Sequence, residues 1–331
     1  MNEKIKNIMN RVKNSITSAI INAYYGKYLE LGLPPRRFIQ VNIETNSICT
    51  RTCHYCLFGI RKVPARHMSS QLFFNIIDQL VEMHFIGRVS LFEINEPLTD
   101  KRIYDFTRYI SCVLPRCYQL LVTNGDLLNQ ERLDALMENG LDQLIINSYD
   151  EKSFNKNEVW FKYGTEKYPG RIEHCDKTSF KEWTSRSGHI KQYYAGEAVN
   201  TFCEYPNYIL YIKPDGKVLA CWNDFDEENV MGDLNRDSIR EIWYGHRFKR
   251  FRGFVNKGNR SISYLCRRCD HTPDLNYMRQ NKLITKKKLK KGFHSTEIVN
   301  GRMEDEAIAI KRKYLEGSAI NEKDKVIYSS C

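Results

Sequence analysis

Three thiols within the stretch CTRTCHYC, positions 49–56, are the densest metal-ligating chemistry in the chain. Cys49, Cys53 and Cys56 can hold a metal, but structural zinc normally takes four protein ligands from paired CxxC or HxxxH elements, and no second pair lies near enough in sequence to complete this one. A ferredoxin-type cluster also wants a fourth thiolate, which this loop lacks. A cluster held by three thiolates keeps one iron open, and an open position is what a catalytic site needs. The missing ligand is then a substrate or cofactor.

Four further cysteines, Cys203, Cys221 and the CxxC of Cys266 and Cys269, form a second set. It suits one auxiliary iron–sulfur cluster, and a four-cysteine zinc ribbon is the plainer alternative. Cys112 and Cys117, in a helix and loop ahead of a strand, look structural. Cys175, in GRIEHCDK, is a candidate hydrogen donor to a substrate radical, although a plain buried thiol explains it as well.

The elements that must position these groups follow from pattern. RFIQVNIE reads as a strand feeding the cysteine loop, and then come a helix (SSQLFFNIIDQLVEMH), a strand (GRVSLFEI), a helix (KRIYDFTRYISCVL), a strand (YQLLVTNG), a helix (NQERLDALMENG) and a strand (LDQLIINS). Such alternation predicts a parallel sheet with helices outside. Residues 151–202 read as polar and irregular, with only EVWFKYG and GRIEHC as strands. At about 30 residues per βαβ step they leave room for little more than one, so a closing sheet closes incompletely. From Cys203 the pattern changes to two short strands about Asp215-Gly216, a helix over SIREIWYGHRFKRFRGFV and the CRRC pair. The expected divisions are an amphipathic helix and lead-in (1–37), a partial barrel (38–202), a small α+β cluster-binding domain (203–275) and a basic polar tail (276–331) ending at the lone Cys331.

Composition narrows the class. The 331 residues suggest about two globular units. Neither a cleavable signal nor a membrane-spanning run is seen, so a cytoplasmic protein without stable membrane insertion is expected. In that reducing setting eleven clustered cysteines favour metal ligation over disulfides. The net charge of +11 suggests acidic partners. The lysine run 286–291 is the sole support for a nucleic-acid-binding protein; it lacks interleaved aromatics and reads as a solvated tail, so no nucleic-acid partner is expected.

In parallel α/β proteins ligands bind beyond the carboxyl ends of the strands. Here those ends carry the cysteine loop, Asn95-Glu96-Pro97, Thr123 to Asp126 and Asn147 to Asp150, all on one rim. At these residues the chain resembles the radical S-adenosylmethionine (radical SAM) superfamily, whose CxxxCxφC signature Cys49, Cys53, Tyr55 and Cys56 match. The resemblance implies a partial TIM-like barrel and a 4Fe-4S cluster whose fourth iron is chelated by S-adenosylmethionine. It also implies one-electron cleavage to a 5′-deoxyadenosyl radical that removes a substrate hydrogen. INEP stands where the family's GGEP meets the methionine amino group, with Asn95 replacing a glycine and Glu96 retained. Thr123, Asn124 and Ser148 fall where family members contact the cofactor.

The region from Cys203 resembles the SPASM and twitch family of auxiliary-cluster domains, through LYIKPDGKVLACWND, MGDL and IREIWYG as well as its cysteines. With no cysteine between Cys269 and Cys331, one auxiliary 4Fe-4S cluster is implied, as in twitch enzymes that oxidise small molecules. The expected reaction is oxidation of a small polar substrate, such as a sugar, aminosugar or nucleotide-linked sugar, with the positive charge agreeing with an anionic one. A flavodoxin- or ferredoxin-type protein would donate electrons. An epimerase using Cys175 and a peptide-modifying enzyme are the alternatives, the latter disfavoured because only 37 residues precede the first strand. Arg171, His174, Asp176, Arg186 and the stretch Trp183 to Gly188 are expected near the substrate.

Overall fold

Gln40–Ile43 form β1, and its alternation sorts the side chains by face. Val41 and Ile43 enter the helix-packed hydrophobic core, while Gln40, Asn42 and Glu44 are buried polar residues on the opposite face. The computed structural model describes residues 38–60, 64–178, 185–191, 199, 201–271 and 302–315. The expected N-terminal helix, Trp183, Thr184, the 286–291 lysine run and Cys331 lie outside them. Among the described residues no helix is long and apolar enough to cross a membrane.

β1 is followed by α1 (Ser70–Glu82), β2 (Arg88–Ser90), α2 (Ile103–Val113), β3 (Tyr118–Thr123), α3 (Gln130–Glu138), β4 (Gln143–Ser148), α4 (Glu151–Lys167) and β5 (Ile172–Asp176). All five strands run parallel. α1 and α3 start where a side chain can serve their orphan amides: Ser69 accepts from Leu72 N, and Asn129 from Arg132 N. α1 and α2 then bury Phe73 and Phe106 as a stacked pair with ring centres 3.8 Å apart.

The sequence reading fails at α4, where EVWFKYG is helix rather than strand. A capping box of Asp150 and Ser153 starts the helix, and Asn157, Trp160, Phe161 and Gly164 recur at helical spacing on its inner side. The aromatic residues that suggest a strand thus pack from one side of a helix, and Val159 faces solvent. GRIEHC is strand β5, as expected, and the chain adds one βαβ step here.

The cysteine-rich region shares its sheet with the barrel. β6 (Ile209–Ile212) pairs in parallel with β1, and β7 (Lys217–Leu219) and β8 (Val230–Asp233) follow antiparallel. The order β5-β4-β3-β2-β1-β6-β7-β8 leaves the barrel open, and the auxiliary hairpin continues it past β1. Gly216, at φ +88, supplies the positive φ of the β6–β7 turn. The helix expected over 238–255 is two, α5 (Ile239–Tyr244) and α6 (His246–Val255), divided at Gly245, whose extended backbone ends one and begins the other. Part of the expected polar tail is also structured. α7 (Arg302–Tyr314) lies on α2 and α1, pairing Arg108 with Glu306 and the buried Lys311 with Asp78 at 2.8 Å.

Candidate active site

The loop leaving β1 carries the three thiols and is pinned at both ends. Asn46 bridges to His67 in the returning chain, and Ser47 Oγ donates to Pro64 O at 2.7 Å. The loop crowds on itself, since a Cβ at Gly59 would stand 2.2 Å from Cys53 O, so only glycine fits there. Arg51 ties its middle to the neighbouring strand ends. Its guanidinium grips Asp126 through Nε at 2.8 Å and Nη2 at 2.6 Å, and reaches Asp150 at 2.6 Å. Those bonds, chiefly to Asp126, hold Arg51 more firmly protonated than a free arginine.

Cys49, Cys53 and Cys56 line a cavity of about 390 Å³ together with Tyr55, Asn95, Glu96, Thr123 and Asn124. Burial raises the Cys49 thiol to about 11, although Arg51 N donates to its sulfur at 3.5 Å. Asn124 Nδ2 lies 3.8 Å from the same sulfur and 2.9 Å from Thr50 Oγ1. Burial likewise raises Cys56. Thiols as reluctant to ionise as Cys49 and Cys56 become thiolates when a cationic metal compensates the charge. Three cysteines on one wall of a large cavity, with N–H donors aimed at one sulfur, fit a three-thiolate cluster with a cofactor above it.

Glu96 acts on the other wall. It is buried, and its carboxylate accepts from Leu98 N at 3.1 Å, Thr123 Oγ1 at 2.7 Å and Asn124 N at 2.8 Å, which locks the ends of β2 and β3 together. Burial outweighs these bonds and leaves its carboxyl at about 6. Asn95 folds back to accept from Glu93 N at 3.0 Å. Tyr55 packs on Tyr149 with ring centres 5.6 Å apart.

Ser148 is brought near but does not line the cavity. Its buried hydroxyl sits 2.8 Å from His174 Nε2 and takes Asn157 Nδ2 at 3.0 Å, while His174 Nδ1 is 3.1 Å from Glu158. His174 is therefore committed to this network, stacked on Phe154, rather than to a substrate. Arg171 is held by main-chain oxygens of Met137 and Leu141, and Asp176 caps Thr178 N from an exposed position. Cys175, half-buried on edge strand β5, is not among the residues lining the cavity. Of the expected substrate residues, Arg186 reaches it. Arg186 and Ser187 take up φ of 51° and 57°, a left-handed turn uncommon for non-glycine residues.

The second cysteine set converges as expected. Cys203, Cys221, Cys266 and Cys269 are all buried and line one small cavity with Tyr205 and His271. Burial raises Cys203 and Cys221, the latter well above its ordinary value with the other three thiols adding to the push, and brings Cys266 to about 11. Asn223 N and His271 N donate to the Cys221 and Cys269 sulfurs at 3.3 and 3.4 Å. Four mutually repelling buried thiols with N–H donors on two of them fit a buried, fully thiolate-ligated cluster.

Sequence reasoning missed Arg51, Glu93, Lys177 and Trp222, all of which line the larger cavity, while Tyr149 falls within the expected Asn147 to Asp150 rim. Trp222 follows Cys221 directly, and Arg186 lies over its ring at 4.1 Å, so the signal was adjacency to a ligand.

An open β/α sheet with a three-thiol loop after its first strand, continued by a four-thiol unit, defines a radical SAM protein with an auxiliary cluster domain. Residues 43–156 match the radical SAM superfamily and residues 203–270 match SPASM, an iron-sulfur cluster-binding domain, so the chain carries a radical SAM domain followed by a SPASM domain. These domains imply S-adenosylmethionine and 4Fe-4S clusters, which favours iron–sulfur over zinc at the second site. The S-adenosyl-L-methionine-dependent 2-deoxy-scyllo-inosamine dehydrogenase of Niallia circulans is 28% identical over 236 residues, 71% of this chain and 93% of its own length. The crystal structure of BtrN in complex with AdoMet and 2-DOIA is similar with a TM-score of 0.64 at 28% identity, covering 72% of this chain and 94% of that one. An open conformation of BtrN gives 0.57 at 26% identity, with 71% and 94% covered.

Arg51 is the residue outside the ligand set whose loss should be felt most at the thiol loop. Arg51→Ala removes three charge-assisted bonds without touching a cysteine, and outer partners of metal ligands are typically worth roughly 10–100-fold in metal affinity. Iron at the catalytic site should then be lost faster to a chelator than in the wild type, with auxiliary-site iron unchanged. Equal chelation rates would show that the loop is held by its other contacts.

Proposed function

We propose that the protein is a radical SAM dehydrogenase that oxidises a secondary alcohol of a small aminocyclitol- or aminosugar-like substrate to a ketone. The observation that carries the reading is that one cavity is walled by both halves: the thiol loop on one side, and Trp222, the neighbour of auxiliary ligand Cys221, on the other. When bound, S-adenosylmethionine and the two clusters supply a hydrogen-abstracting adenosyl group and an acceptor for the second electron. The chain's own residues bind, orient and shield the substrate. Trp222, Phe92 and Tyr149 offer flat faces for the C–H side of a ring, while Glu93, Lys177 and Arg186 offer charged groups for its polar edge. The mixture of one acidic and two basic groups suits an amino-polyol. Asn95, Glu96, Thr123 and Asn124 would hold the cofactor, and a flavodoxin- or ferredoxin-type donor would supply its electron.

The test is turnover of 2-deoxy-scyllo-inosamine, the substrate named for the Niallia circulans relative, with S-adenosylmethionine and reductant in heavy water. The expected product lacks two hydrogens, one recovered in 5′-deoxyadenosine, and carries no deuterium at the oxidised carbon. A product of unchanged mass apart from one deuterium at an inverted centre would instead establish epimerisation.

A further inference from the structure

We propose that Glu93 is the base that takes the hydroxyl proton as the substrate alcohol becomes a ketone. This deepens the dehydrogenase reading and rests on it. Converting a secondary alcohol to a ketone removes a hydrogen atom from carbon, an electron and a proton from oxygen. The hydrogen atom passes to the adenosyl group of S-adenosylmethionine and the electron to the auxiliary iron–sulfur cluster. The O–H bond therefore breaks by proton transfer, and the cavity must provide a proton acceptor.

Carboxylates are the usual acceptors, and of the two on its wall, Glu93 and Glu96, one is left open. Cys49, Cys53 and Cys56 are cluster ligands, and the Glu96 carboxylate is spent on three donors. Arg186 is a guanidinium and cannot accept a proton. The Tyr55 and Tyr149 phenols are raised by burial, so neither ionises near neutrality. Glu93 differs: Oε2 accepts one hydrogen bond, from Asn42 Nδ2 at 3.1 Å, and among the described residues Oε1 accepts none.

The Asn42 contact is directional. Arg88 can only donate, and it donates to Gln40 Oε1; Gln40 Nε2 must then donate to Asn42 Oδ1, at 2.6 Å, which turns the Asn42 amide nitrogen towards Glu93. The polar face of β1 thus presents a fixed donor to one oxygen of Glu93 and leaves the other facing the cavity. Below it Glu44 is buried and paired with Lys213. Burial first, and the Glu44 charge second, push the Glu93 carboxyl up to about 8, with Lys213, Asn42 and Arg186 pulling the other way. A base poised near the working pH is the arrangement that general-base transfer favours.

A base acts ionised, so wild-type kcat should rise with pH through about 8 and level off above it. Glu93→Gln keeps the shape and the Asn42 contact without basicity. It should lower kcat by roughly 10²–10⁴-fold, beyond whatever rise in KM the lost charge brings, with no basic limb, while 5′-deoxyadenosine is still released. Glu93→Asp, which keeps a carboxylate, should fall between the two and retain the limb. A readout independent of turnover is the pH-difference infrared spectrum of the reconstituted protein, in which a carboxyl band titrating near 8 should be present in the wild type and missing in Glu93→Gln. Unchanged kcat in Glu93→Gln, or a raised KM alone as for a residue that merely anchors a substrate ammonium, would overturn the proposal and leave the dehydrogenase standing. Absence of oxidised product from the wild type as well would overturn the dehydrogenase reading, and the proposal with it.

Discussion

Cys221→Ala should go on releasing 5′-deoxyadenosine from S-adenosylmethionine while its yield of oxidised product drops by roughly 10²-fold or more, about 3 kcal/mol of barrier. The expectation follows from how the two thiol sets are housed. Cys49, Cys53 and Cys56 belong to a loop fixed by Arg51, Ser47 and Asn46, none of which touches the auxiliary set. Cys221 lies in the other cavity, with Trp222 beside it facing the substrate space. Removing one of four ligands leaves cofactor cleavage its own site and deprives the substrate radical of its electron acceptor. Product analysis in heavy water, with 5′-deoxyadenosine counted alongside, checks this: substrate recovered with solvent deuterium at the attacked carbon is the sign of a radical that found no acceptor. Full formation of ketone by Cys221→Ala would make the auxiliary site structural and remove the reason for joining it to the barrel.

The catalytic half was legible in the sequence because its chemistry is local. Each strand of a parallel sheet ends on the same rim, so short motifs at four strand ends had to meet, and Cys49, Asn95, Glu96, Thr123 and Asn124 do. The second thiol set was legible because cysteines are rare and their spacing is informative. What escaped was whatever depends on which face a residue occupies after folding. Gln40, Asn42 and Glu44 stand at alternate positions of a strand whose other face is apolar, a pattern of a half-exposed surface, yet all three are buried and bonded to Arg88, Glu93 and Lys213. Nothing local announces those partners, which come from β2, from the chain after it and from the residue after β6. Asn42, on that same face, holds Glu93, a strand-end acid, in the wall of the cavity. His174 fails in the opposite direction. Its place in the 151–202 segment suggested substrate, but α4, part of which reads as a strand, brings Glu158 and Phe154 against it and claims the ring.

Changing Cys49, Cys53 and Cys56 together to alanine should abolish S-adenosylmethionine cleavage outright and halve the iron, from roughly eight per chain to roughly four, since each cubane carries four. Such a triple change is interpretable only if the fold survives it, and the structure argues that it does. The three thiols are half-buried rather than core residues, and the loop's anchors lie elsewhere: the Asn46–His67 bridge, Ser47 on Pro64 O, and Arg51 on Asp126. The auxiliary unit is joined to the barrel through the β1–β6 ladder and the core around Trp243, Phe248 and Val255, which contain none of the three. Its four cysteines should therefore still assemble their cluster. The measurement is iron and sulfide content with the absorption spectrum after anaerobic reconstitution, alongside an assay for 5′-deoxyadenosine. Iron that stays near the wild-type level, or cofactor cleavage that persists, would mean that the thiol loop is not where the electron enters. Iron that falls to nothing would mean that the two sites assemble as one unit, in which case loss of turnover in Cys221→Ala could no longer be assigned to electron acceptance alone.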